Sequence, residues 1–593
     1  MKQHTPFNRV VFGAAACALM LSACGGGGGS ETPIVPPVTG TPTSPPPPPP
    51  PPPAPVSKTL MTDEAAASRF LATATFGGTK SQIQNLVGVD AADWLRAEFD
   101  KPATLFLPGI LNIRNSDGGF LNNLDTYQYW DTILTADDQL RQRMIFALSQ
   151  ILVIGDVNGG SAPDRRAYYQ DVLSRNAFGN YRTLLQDVTY SPIMAQWLTY
   201  LRNRKGDPKT GRMPDENYAR ELLQLFTLGL VDLNQDGTQK VGVDGNPIEL
   251  YDNDDIIGLS RVFTGLSLKG NNFWHRGADE DAYYNPLQMF DEEHSPLEKS
   301  FLGKTIPAGT AGDETITEAL DHIFDHPNVG PFLARQLIQR FTESNPSPSY
   351  VERVANAFDE GRFTAPAGQQ FGSGNRGDLE ATLAAILLEE DLFLPESEDE
   401  QNLRNGKIRE PILRFTHWVR AFNVANIDSY NEWLLRDTRD PTRGLAQHPF
   451  KSPSVFNFYR PGYVAPLTES GDLGMTAPEF QIVNESSSIG YLNFMTEYAL
   501  ARSDHRDKEL NTFEPDYSEE IAMTDDPAGL VNHLDILLTG AQMTATEKQA
   551  IADIVGDMRL RTDDAEKENT DRNERVQVAV LLVLNSSSFA VLR

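Results

Sequence analysis

Gly25 to Gly29 and the unbroken proline run Pro45 to Pro53 set the first limit on this fold, because neither stretch can join a packed core. Glycine brings no apolar side chain and proline no backbone donor, so a segment built from them buries too little to offset its ordering entropy. Residues 24–57 therefore read as a disordered tether, loose at the glycines and extended at the prolines. Polyproline rises about 3.1 Å per residue, so Pro45 to Pro55 reaches roughly 30 Å. The folding part is expected over 58–593.

The residues before the tether explain why it is there. Lys2 and Arg9 precede an apolar stretch from Val10 to Leu21, which ends in Leu21-Ser22-Ala23-Cys24. A basic start and a short apolar run make a secretory signal, too short to span a bilayer. Small residues just before a cysteine resemble the lipobox of bacterial lipoproteins. We expect residues 1–23 to be removed and Cys24 to carry the lipid that anchors the protein to a membrane. Gly25, where an aspartate would retain the protein, resembles lipoproteins sent to the outer membrane, facing the periplasm or the cell surface.

Cys17 is the only other cysteine and leaves with the signal. The expected mature chain then has no disulfide, no cysteine-ligated metal and no thiol nucleophile, and it is long enough to build a core without staples. The net charge of −30 argues against nucleic acid and against adhesion to anionic headgroups.

From Met61 onward apolar residues recur at helical spacing with few alternating runs, which predicts a mainly α fold: one large multi-helical domain. Thr62 is the expected cap of a helix ending near Thr75. Thr79 with Gln82 forms a capping-box pattern for the next. Further helices are expected at 121–134, 138–153, 165–176, 215–230, 254–266, 313–324, 329–341 and 379–388, with a buried terminal helix in 575–593. Asp244-Gly245, between short apolar segments of 239–250, predicts a small β-hairpin inserted in the helical body.

Several segments together resemble the bacterial domain of unknown function 1800 family over roughly 65–593. They are SRFLATATFG near the start, NYARELLQLFTLGL from Asn217, LSRVFTGLSL from Leu259, HPNVGPFLARQLIQRF from His326 and SPSVFNFYRPGY from Ser452. APEFQI and RVQVAVLLVLNSSSF add to the match. The resemblance implies an exported, largely helical protein, often encoded beside an exported partner that looks like alkaline-phosphatase-type hydrolases. It implies no reaction. The family pattern has His-Asp followed by a lysine; here His294 is followed by Ser295 before Lys299, and Leu266 stands in place of the usual tryptophan.

The candidate chemistry is spread along the chain. His294 or Glu221 would transfer protons and Arg220 and Lys299 would stabilise an anion, with His326 as a further candidate group. Against this, Arg220 can simply pair with Glu216 one helical turn away. His322 and His326 are spaced for a shared helical face, but Pro327 ends that helix. Asp232, Asn234, Asp236 and the following Gly237 open like a calcium loop. Val243 stands where the closing acid of an EF-hand belongs, so Asp244, Asp252 or Asp254 would have to complete a looser cage; the alternative is a solvated turn. Phe456, Phe458, Tyr459 and Tyr463 lie between prolines, placed either to stack on a flat ligand or to pin a loop. The Gly372–Gly377 run matches the dinucleotide glycine pattern without a leading apolar strand, so no nucleotide cofactor is expected. Lys407, Arg409 and Glu410 suggest an ordered ionic turn of unassigned role.

Two functional expectations follow. The first is a non-catalytic binding or assembly factor for a partner protein or polymer at the cell envelope. The alternative is a hydrolase acting on an extracellular polymer or anionic substrate.

Overall fold

Helix starts follow the side chains able to satisfy orphan amides. In the computed structural model, which describes residues 57–117, 124–156, 163–274, 280–393, 406–424, 435, 437–500 and 514–593, Thr79 caps the helix Lys80–Leu86 with the reciprocal Gln82 bond of a capping box. The preceding helix, Glu64–Ala74, is capped by Asp63 rather than Thr62: the carboxylate accepts from the amide of Ala66. A charged acceptor also suits the positive helix end. The helix Val329–Phe341 has the bounds its apolar spacing predicts, and Gly312–Phe324 and Leu379–Leu387 lie within a residue of theirs. The signal, the tether and Cys24 lie outside the described residues.

The protein is mainly α-helical, with small two-stranded antiparallel sheets. One continuous apolar cluster runs from Met61 to Phe589, and residues Val56–Arg593 pack as one unit. The helix Gln139–Ser149 is buried on every side, Arg141 and Arg143 included. A helix buried all round lies inside the core, so its charges need internal partners. The Val578 to Leu584 run belongs to the helix Ala565–Leu584, which buries Val576, Ala579, Val580, Val583 and Leu584. Beyond it, Val591–Leu592 pairs antiparallel with Lys407–Ile408 and ties the C-terminus to the middle of the chain. Among the described residues no helix is long and apolar enough to cross a membrane.

Two expectations change in detail. The 215–230 segment is not one α-helix: Asn217–Glu221 is α-helical, and Leu222–Thr227 then widens into a π turn. The amide of Leu228 reaches back to Leu223, and the Thr227 hydroxyl to the carbonyl of Leu222. This turn keeps Leu222, Leu223, Phe226 and Thr227 inside, at the cost of poorer hydrogen-bond geometry. The hairpin at Asp244-Gly245 forms, but through isolated bridges, Val241 to Pro247 and Val231 to Glu249, rather than full strands.

Candidate functional site

The Asn253–Ser260 helix packs against the strand Lys299–Phe301, which Lys299 opens. Their closest approach is at Gly258, where a Cβ would fall 1.7 Å from the carbonyl oxygen of Ser300. Only glycine lets the helix lie this close to the strand. Replacing Gly258 by alanine should cost about 1–3 kcal/mol of stability, as overpacking does, measured as a lowered urea midpoint. A second glycine, Gly265, has φ +93°, and a Cβ there would crowd the carbonyl of Phe290 and the Cβ of His294. The amide of Phe290 donates to the carbonyl of Gly265, which closes the turn that presents His294.

His294 is buried, and its Nδ1 lies 2.8 Å from the carbonyl oxygen of Thr264. A carbonyl only accepts, so Nδ1 carries the proton and Nε2 presents a bare lone pair. Nε2 has no hydrogen-bond partner among the described residues. The Thr264 hydroxyl accepts from the amide of Ser295 and donates to the carbonyl of Arg261, so the residue that orients the imidazole is itself fixed. Burial pushes the His294 pKa below the ordinary imidazole range; the Thr264 carbonyl opposes this, and Lys299 lowers it further, against Asp291 and Asp313. His294 is therefore a neutral base at pH 7.

Lys299 is fully buried and its Nζ has no partner among the described residues. Burial, then the charge of Arg261, pulls its pKa below the usual lysine range. A buried ammonium without an acceptor is costly unless an anion or water joins it. His294 and Lys299 thus offer a buried acceptor and a buried donor without partners among the described residues, and the charge of the second lowers the pKa of the first.

The other sequence candidates do not join this pair. Arg220 lies 3.5 Å from Glu216, the helical-turn partner expected of a structural pair. Burial raises the pKa of Glu221 against the opposing charge of Arg220, and both residues act on Tyr251 rather than on His294. His326 accepts from the amide of Asn328 at Nδ1. Burial lowers its pKa, and the charges around it are Asp232, His322, Lys240 and Arg376. Of the five candidates, Lys299 acts electrostatically on His294, while the interactions of Arg220, Glu221 and His326 are with other residues. His322 Nε2 donates to the carbonyl of Leu302.

The calcium loop is not assembled either. Asp232 pairs with Lys240 at 3.0 Å, Asn234 and Asp236 bond to Thr238, and Asp252 caps the Asn253–Ser260 helix. Asp252 and Asp254 share a cleft of about 440 Å³ with Arg261 and Lys304, whose charges oppose a bound cation. Local partners thus take up carboxylate oxygens of Asp232, Asp236 and Asp252, while Asn234 donates through its side-chain nitrogen. The stacking candidates also change role. Tyr459 is buried, Phe456 lies under the guanidinium of Arg460, and Phe458 and Tyr463 are only half-buried.

The segment carrying those aromatics holds a feature that sequence patterns missed. Ala446, Phe450 and Asn457 all have positive φ, a cluster of left-handed non-glycine residues that needs strong tertiary support. The support is a buried charged centre. Gln150 and Gln447 both donate to one oxygen of Glu410. Lys407 lies 3.1 Å from Glu479 and donates to the carbonyls of Gln339 and Arg340. Arg143 donates to the carbonyl of Arg340. The one sequence signal was the charged turn before Pro411.

No curated protein and no solved structure matches this chain. A family model matches residues 69–591, a span that contains the His294–Lys299 pair and the whole charged centre. The chain belongs to the family described as protein of unknown function DUF1800.

Proposed function

We propose that this protein is an exported, lipid-anchored hydrolase that acts on an anionic substrate or polymer outside the cytoplasm, with His294 as general base. One observation carries the reading: His294 Nε2 and Lys299 Nζ are both buried without a partner among the described residues, and the charge of Lys299 acts on His294. His294 takes a proton from water as the water oxygen attacks, and returns it to the leaving group. Lys299 holds the negative charge that develops. Perturbed groups of this kind concentrate at reaction centres.

The test is turnover of chromogenic phosphate, carboxylate-ester and glycoside substrates by the full chain and by His294→Gln. Turnover of one class that the substitution removes supports the assignment. No turnover from any class, or turnover that survives the substitution, rejects it in favour of a second reading, a non-catalytic binding or assembly factor for a partner protein or polymer. That reading is supported by the apolar Val241, Val243 and Ile248, which the 231–249 hairpin exposes to solvent. It predicts that the full chain co-isolates with a neighbour-encoded exported protein, and that Val243→Asp weakens the capture.

A further inference from the structure

Glu519, Glu520 and His533 lie far from the His294–Lys299 pair in sequence and take no part in the reaction proposed for it. Each offers one ligand atom, and these atoms all lie within 4.8 Å of one another. Glu519 and Glu520 sit on the short helix Ser518–Ala522, and His533 is in the last turn of the helix Pro527–Leu534. The carboxylate of Glu520 is fully buried, with one oxygen 2.8 Å from His533 Nε2 and 2.6 Å from Lys80 Nζ. Its other oxygen, Oε2, is buried with no partner among the described residues. Lys80 also reaches Glu519, at 3.1 Å.

We propose that this cluster is a binding site for a divalent transition-metal ion such as Zn²⁺, whose place the Lys80 ammonium holds when the metal is absent. One imidazole nitrogen and two carboxylates are a donor set that zinc accepts, and three protein ligands leave a fourth position for water. The histidine separates the site from calcium and magnesium sites, which are built from oxygen alone. The orphaned Oε2 supplies what a merely structural ion pair does not: a buried acceptor still without a cation. A point charge between two carboxylates is the electrostatic equivalent of a metal ion, so the ammonium keeps Glu520 ionised in the meantime. Lys80 has somewhere to go, because its Nζ already lies 5.8 Å from the centre of the Phe422 ring, within cation–π range. His533 and Glu519 are partly exposed, which gives an ion access.

The proposal is tested by titrating ZnCl₂ into the metal-stripped full chain, with heat of binding and thermal midpoint as readouts and CaCl₂ and MgCl₂ as controls. We expect one zinc per chain, a rise in midpoint through binding to the folded state, and no response to calcium or magnesium. His533→Gln, at a partly exposed position, should weaken zinc binding by about a hundredfold or more, as loss of one of three ligands does. Lys80→Ala should tighten it by about tenfold, because the competing cation is gone. The second variant discriminates: an adventitious surface site has no reason to gain affinity when a lysine is removed. No zinc binding at millimolar metal, binding that His533→Gln leaves unchanged, or binding that Lys80→Ala weakens would overturn the assignment.

Discussion

Glu410→Ala should destabilise the protein by about 3–5 kcal/mol, read as the shift of the urea unfolding midpoint. Glu410 is fully buried where helices and loops far apart in sequence meet, accepting from Gln150 and Gln447. Lys407, itself buried, lies 3.8 Å away. Burial pulls the pKa values of Arg143 and Arg340 down, and the charge of Glu410 opposes that pull on both. Removing the carboxylate leaves buried cations short of compensation and two amides without an acceptor, which costs far more than the net worth of the pairs. Glu410→Gln, which keeps the shape and one acceptor, should cost less than the alanine. Arg220→Ala provides the contrast: its pair with Glu216 is half-exposed, and the change should stay within about 0.5 kcal/mol. Equal losses from Glu410→Ala and Arg220→Ala would show that the buried centre does not hold the fold as described.

Under the proposed hydrolase function, His294→Ala should lower kcat by about 10²–10⁴-fold, the range of a general base. The pH profile separates chemistry from packing. Because burial and Lys299 depress the His294 pKa, its neutral form persists below pH 6.5, the ordinary imidazole value. Activity should therefore stay on through neutral pH and fall only in a more acidic range, as His294 gains a proton. Lys299→Met removes a positive neighbour, so protonation becomes easier and the acid limb should move to higher pH. An acid limb that stays in place in Lys299→Met would mean that the two side chains are not coupled in the working site.

Features governed by near neighbours were legible in the sequence. The Thr79–Gln82 capping box and the Val329–Phe341 helix depend on residues three or four apart, and both form as expected. Where two local solutions competed, the outcome was decided elsewhere. Asp63 displaces Thr62 as a cap, and the Leu222–Thr227 turn widens to keep apolar residues inside, which a period of 3.6 does not reveal. His294 and Lys299 stood together as candidates because of the family resemblance; nothing in their spacing shows that one would have a free lone pair and the other a free ammonium. Asp232, Asn234 and Asp236 stand in a calcium-like order of oxygens, which is also the order that closes Asp-Gly turns.

By itself the sequence determined the helical class, the Thr79–Gln82 capping box, the Asp244-Gly245 turn and the family, since each rests on periodicity, on short-range hydrogen bonding or on runs of residues read in order. Only the tertiary structure decided the chemistry. Gln150 meets Glu410 across 260 positions, Lys80 meets Glu519 across 439, and Lys299 loses its solvent because Gly258 lets a helix close over its strand. Desolvation and convergence set what a charged side chain can do, and both are properties of packing, to which residues distant along the chain contribute most.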